Sequence, residues 1–187
     1  KQWSYLSPNY SAWEKVEEAE ELSRKEQCED ALNAFDEAAG LFNETKTSIE
    51  NQLGKIQNLD EKHTATGMVK ATETRLEYCH SRITIEEAKI LDKKCDHYSS
   101  SEKYGVAAET FEKVKQALDS EQERSEFKLI IALSKAWQKM TLAEARSSSA
   151  LYSDASGLFE QAEALTPNEK TKMLILGHSR FCKALGA

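Results

Sequence analysis

From Asn9 to Thr166 the sequence holds no proline, and its seven glycines never cluster. Proline ends or kinks helices, and Gly- or Pro-rich punctuation separates strands, so a long stretch lacking both has little means of turning a sheet. Over the same stretch Ala, Glu, Lys and Leu abound, residues that enter a helix at small cost. The chain therefore reads as all-α.

Helix starts are sought where Ser or Thr precedes Glu by three residues, a spacing that lets hydroxyl and carboxylate bond the free N–H groups of a first turn. Ser99 with Glu102, Ser120 with Glu123, and Thr166 with Glu169 fit, and the last places Pro167 at the first helical position. These marks predict about seven antiparallel helices, near 9–25, 28–60, 67–98, 102–119, 121–147, 150–165 and 167–185. Phe35, Phe42, Ile49 and Ile56, then Val69, Leu76, Ile83 and Ile90, each recur every seven residues. That spacing predicts one long coiled-coil-like hairpin turning at Asp60 to Gly67. Ala38, Thr45, Gln52 and Leu59, with Thr72, Cys79, Glu86 and Lys93, make its other positions mixed, which favours an intramolecular hairpin leaning on other helices.

At 187 residues and 40% hydrophobic content the chain can bury a core of its own. A formal net charge of −7 repels phosphate backbones, so nucleic acid is not an expected partner. No apolar run approaches a membrane span, and no membrane association is expected. Cys28, Cys79, Cys95 and Cys182 follow no metal or disulfide framework and suit a reducing, cytoplasmic setting. The N-x-S/T matches at Asn9 and Asn43 read as chance, and the start at Lys1 without Met suggests a piece of a longer protein.

The chain also matches itself. Trp13, Val16, Ala19, Glu20, Ser23, Ala31, Phe35, Ala38 and Leu41 align without a gap on Trp137, Met140, Ala143, Glu144, Ser147, Ala155, Phe159, Ala162 and Leu165. Cys28 and Tyr152 take the bulky position between the two helices of each unit. A degenerate third copy lies between, with Ala88 and then Tyr104, Ala107, Phe111, Val114 and Ala117. In A-x3-F-x2-A the small residues admit a neighbouring helix while one Phe fills the gap, and each hairpin leaves an edge for the next to cover. The predicted repeat core is Trp13, Ala31, Phe35, Ala38, Ala107, Phe111, Trp137, Ala155, Phe159 and Ala162.

This pattern resembles the tetratricopeptide repeat, whose units carry an early aromatic, then A-x3-F and a closing Pro. Ala155, Phe159, Ala162 and Pro167 match its second half, and Trp137 stands at the early aromatic. The resemblance covers about 13–42, 88–118 and 137–167, roughly half the chain. The Gly of the family's first helix is missing, the first two units lack the Pro, and the long hairpin is not a standard repeat. The class is thus tetratricopeptide-like and shades into other hairpin domains such as the microtubule-interacting-and-transport type. Leu176 to Leu185 is also similar to uncharacterised prokaryotic helical-repeat proteins. The expectation is a single elongated helical-repeat domain over 1–187, with units at about 9–60, 67–119 and 121–165 and a closing helix at 167–185.

Motifs for chemistry are sparse. Glu77 and His80 form an E-x-x-H, but a di-iron bundle needs it twice, and the nearest second copy, Asp60 with His63, falls at the predicted turn. Cys95 with His97, and His178 with Cys182, are the close Cys/His pairs, without a paired knuckle for zinc. Ser99 to Ser101 and Ser147 to Ser149 read as linkers and caps. No catalytic, cofactor or metal residue is assigned, and the chain is expected not to be an enzyme. The expected function is a scaffold binding a peptide or helix of another protein. The alternatives are a metal-dependent or thiol enzyme on a helical bundle, and a self-associating module of a larger sensor. The acidic run Glu14, Glu17, Glu18, Glu20 and Glu21, set against a basic 170–187, is expected to help steer a basic partner to one end. If the repeat builds the core, Phe159→Ala lowers stability by about 3–5 kcal/mol in thermal melts, and a near-neutral result removes that core.

Overall fold

The computed structural model describes residues 6–187. Among the described residues there are seven helices and no strand: α1 Leu6–Arg24, α2 Cys28–Leu53, α3 Leu59–Lys93, α4 His97–Gln116, α5 Glu121–Arg146, α6 Ser149–Glu163 and α7 Glu169–Gly186. The all-α reading holds, and several of its boundaries move.

The turn expected at Asp60 to Gly67 lies instead at 54–58. Gly54 follows the last residue of α2, and the Asn58 side chain accepts from the N–H groups of Asp60 (2.9 Å) and Glu61 (3.2 Å), starting α3 early. Asp96, not Ser99, caps α4, accepting from the Ser99 N–H at 3.2 Å. Ser100 and Ser101, expected in a linker, are buried within that helix. Asn168, not Thr166, caps α7 through the Thr171 N–H at 3.0 Å, which leaves Pro167 just outside the helix and starts α7 at Glu169, not at 167. Ser120 does cap α5, accepting from the Glu123 N–H. Asn and Asp accept from a first turn at least as well as Ser and Thr, so the nearer Asx residue took the role at two of these ends.

Three hairpins share one kind of turn. Glu26, Cys95 and Ser147 have φ of 58°, 62° and 49°, and each is followed by a residue whose N–H reaches back five positions. Those bonds, Gln27 to Leu22 O, Asp96 to Leu91 O and Ser148 to Ala143 O, are each 3.0 Å. This is the left-handed stop usually given to glycine, here built from residues with side chains. The left-handed residue falls seven positions after Ala19 and Ala88 but four after Ala143. The gapless alignment therefore slides by almost one helical turn at the third stop, and Tyr152 sits one turn deeper in α6 than Cys28 does in α2. A shift of that size keeps side chains on nearly the same face, so the small and aromatic positions still meet the core.

The chain divides into two compact units, one through Glu86 and the other from Glu87 onward. In the first, Ala12, Val16 and Ala19 of α1 pack on Ala34, Phe35, Ala38, Ala39 and Phe42 of α2 and on Cys79 of α3. The α1 and α2 helices run antiparallel, with Trp13 edge-on to Phe42 at 5.9 Å and Lys15 paired with Glu37 at 2.9 Å. On α3 the deeply buried heptad is Thr72, Cys79 and Glu86, while Leu76 and Ile83 of the expected seam are only half-buried.

That burial of Glu86 rests on charge. Arg82 donates to Glu20, to the Tyr78 oxygen at 3.3 Å and to Ser23 Oγ at 3.1 Å; Tyr78 also donates to Glu20, and Ser23 donates to Glu86 at 2.6 Å. The guanidinium lies 4.9 Å over the Phe35 ring, and its Nη2 stands 3.7 Å from Glu86, whose exposure is 0%. Removing one member of such a buried set leaves the remaining charge without compensation.

In the second unit α4, α5, α6 and α7 pack in chain order. Ser101 donates to Gln138 O at 3.0 Å and Phe111 meets Phe127 at 5.7 Å, so α4 and α5 are antiparallel. Gly105 faces the Gln138 side chain so closely that a Cβ there would collide with it. Ala136, Ala155, Phe159, Ala162, Ile175 and Cys182 form the buried cluster, with Trp137 half-buried against it.

Arg82→Met keeps the apolar stem and removes the shared cation, and should cost about 3–5 kcal/mol in urea denaturation. Adding Glu86→Leu should recover a large part of that loss.

Candidate functional site

Two of the three left-handed stops bring polar side chains to one end of the second unit. Asp92 occupies the last turn of α3 and His97 the first position of α4, with the Cys95 turn folding one back beside the other. Glu144 joins them from the last turn of α5, just before Ser147. His97 Nδ1 lies 2.8 Å from Asp92 Oδ1 and 3.2 Å from Glu144 Oε2, and one donor atom from each of the three residues falls within 4.8 Å of the other two. All three are partly buried. Among the described residues no other group of His, Cys, Asp and Glu gathers this way.

The electrostatics are negative. Burial pushes the Glu144 carboxyl above its usual range, the Asp92 charge adds to this, and His97 opposes it. Burial and then Glu144 also push the Tyr152 hydroxyl upward, while the Ser99 hydrogen bonds hold Asp96 below the usual carboxylate range. A cleft of about 500 Å³, lined by His97, Glu144, Ser147, Ser149, Tyr152 and Leu185, opens beside the trio. The arrangement presents one imidazole nitrogen and two carboxylate oxygens toward a common point next to solvent, a donor set suited to a cation.

The first unit has a smaller cleft of about 220 Å³, lined by Asn9, Trp13, Thr45, Ile49, Met68, Ala71, Thr72 and Arg75. Trp13, expected in the repeat core, is 38% exposed at its wall under the Arg75 guanidinium, 4.7 Å away. Ala31, Phe35, Ala38, Ala107, Phe111, Ala155, Phe159 and Ala162 are each at 0% exposure, and so face no ligand.

The motifs singled out from sequence scatter. Glu77, His80, Asp60 and His63 are all exposed along α3, and Asp60 and His63 stand on that helix and not at a turn. His178 stacks on Phe159 at 5.4 Å, and burial followed by Glu144 raises the Cys182 thiol to about 11. Burial lifts Cys79 to about 12. A thiol at such a value is almost wholly protonated near neutrality and is a poor nucleophile. His97 was noted in sequence only beside Cys95, and Glu144 only as a repeat match to Glu20. Residues 92, 97 and 144 share no short motif; only the turn chemistry joins the first two.

Compared with protein-family models, curated proteins and solved structures, the chain matches none. Mild alkylation of the native chain should label Cys95, the exposed thiol, while Cys28, Cys79 and Cys182 react only after denaturation; peptide mass mapping distinguishes the four.

Proposed function

We propose that this chain is a tetratricopeptide-like helical-hairpin scaffold that binds another protein, receiving an amphipathic helix with acidic flanks on the outer face of α7. The observation that carries the reading is an apolar stripe in solvent: Met173, Leu174, Phe181 and Leu185 are 73%, 64%, 49% and 45% exposed. On a helix, residues 174, 181 and 185 share one line, and Gly177 between them leaves a shallow place for a partner side chain. Ile175, Ser179 and Cys182, on another face, hold α7 to its unit. Contiguous exposed apolar surface of this kind marks interaction sites, and an apolar face laid along a groove or helix is a recurrent way of binding peptides.

Charge selects the partner. Residues 170–187 carry Lys170, Lys172, Arg180 and Lys183 and no acid, within a chain of net charge −7. Lys172 and Lys183 are paired with Glu169 and Glu160, whereas Lys170 and Arg180 are exposed beside the stripe. Acidic flanks on the incoming helix would meet them, steering encounter and fixing orientation.

A fluorescent amphipathic peptide with Leu at i, i+4 and i+7 and Glu-rich flanks should bind the chain in anisotropy titrations. The double variant Leu174→Glu with Phe181→Glu should weaken it by more than about tenfold, because both changes strike central contacts. A Lys-flanked peptide of the same apolar pattern should bind far less. Failure of both peptides, or equal binding by wild type and double variant, removes this reading. A concentration-dependent dimer dissolved by the same double variant would assign the face to a second copy.

A further inference from the structure

We propose that Asp92, His97 and Glu144 form a binding site for one divalent transition-metal ion, zinc being the best fit, with a coordination position left open to the adjoining cleft.

Spacing comes first. Donor atoms about 2.0–2.2 Å from a tetrahedral zinc stand roughly 3.2–3.6 Å apart. His97 Nδ1 already lies 2.8 and 3.2 Å from the two carboxylate oxygens, so small side-chain rotations bring all three onto one coordination sphere. Charge comes second. Two carboxylates face one imidazole in partly buried surroundings, where burial raises the Glu144 carboxyl and the Asp92 charge adds to it. A dication neutralises both carboxylates at once, which a single proton on the imidazole does not. Binding at Nδ1 places the ring proton on Nε2.

Donor type narrows the ion. An imidazole with two carboxylates suits zinc or its neighbours better than magnesium, which favours all-oxygen shells with several waters. Three protein donors with one open position is the pattern of zinc sites that admit water or a substrate group; purely structural zinc sites close with four. The open side faces a cleft of about 500 Å³ where Tyr152, Ser147 and Ser149 supply hydroxyls, enough room for a small oxygen-bearing ligand on the metal.

Support is built into the backbone. Each ligand stands on a helix end, and the Cys95 and Ser147 turns fix where α3 and α5 stop. The site does not depend on a long loop, and its three donors come from three helices of one compact unit.

Isothermal titration of the metal-stripped chain with zinc chloride tests the assignment. One saturable site per chain is expected in the wild type, retained in Cys95→Ser and His178→Gln. In His97→Gln and Glu144→Gln affinity should fall by more than about a hundredfold, beyond what loss of a merely supporting partner costs. Circular dichroism should show unchanged helix content in every variant. Zinc should also raise the melting temperature of the wild type and not that of His97→Gln, a readout that holds even if one variant is less stable. Absence of a saturable site, binding unchanged in His97→Gln, loss in Cys95→Ser or His178→Gln, or equal affinity for magnesium would each overturn it.

Discussion

Three left-handed residues decide where three of the six turns between helices fall. An α-helix continues by default in a sequence rich in Ala, Glu, Lys and Leu, and only two prolines are present to stop it. Glu26, Cys95 and Ser147 accept an unfavourable backbone conformation, and the following N–H groups close back on the helix they end. The hairpins, the packing of α5 on α6 and the meeting of Asp92 with His97 all follow from these stops. The cost of each is offset by carbonyls that would otherwise lack partners at a helix end.

The periodic part of the fold was legible because periodicity is a local property. Ala31, Phe35 and Ala38 recur at helical spacing and lie at the bottom of the first core, as Ala155, Phe159 and Ala162 do in the second. The ends were less legible. Ser and Thr advertise a cap, yet Asn58, Asp96 and Asn168 do the capping at three starts, since several polar residues compete within a few positions and tertiary packing chooses among them. The turns at Cys95 and Glu26 carried no glycine to reveal them. The trio at 92, 97 and 144 was hidden for a different reason: two of its members lie on separate helices and the third beyond a turn, so no spacing in the sequence describes it.

Glu20 and Glu144 align in the internal repeat but live in different surroundings. Glu20, partly buried, accepts from Tyr78 and Arg82 and is tied into the charged set of its unit. Glu144 meets Asp92 and His97 beside an open cleft. A repeat position tied to an arginine in one copy thus stands beside an imidazole and a cleft in the other. The two copies share a pattern of small and aromatic core residues while this one aligned acid differs in what surrounds it.

The buried Arg82 set also bears on how the first unit selects its register. The α1 and α2 helices meet through Ala12, Ala19, Ala34, Ala38 and Ala39, small bumps that by themselves say little about register. Sliding α3 by one turn would carry Glu86 away from Ser23 and Arg82 away from Glu20, stranding the fully buried Glu86 charge. A smooth surface supplies adhesion, and one off-centre cluster of charge supplies the notch that makes a single alignment the lowest in energy.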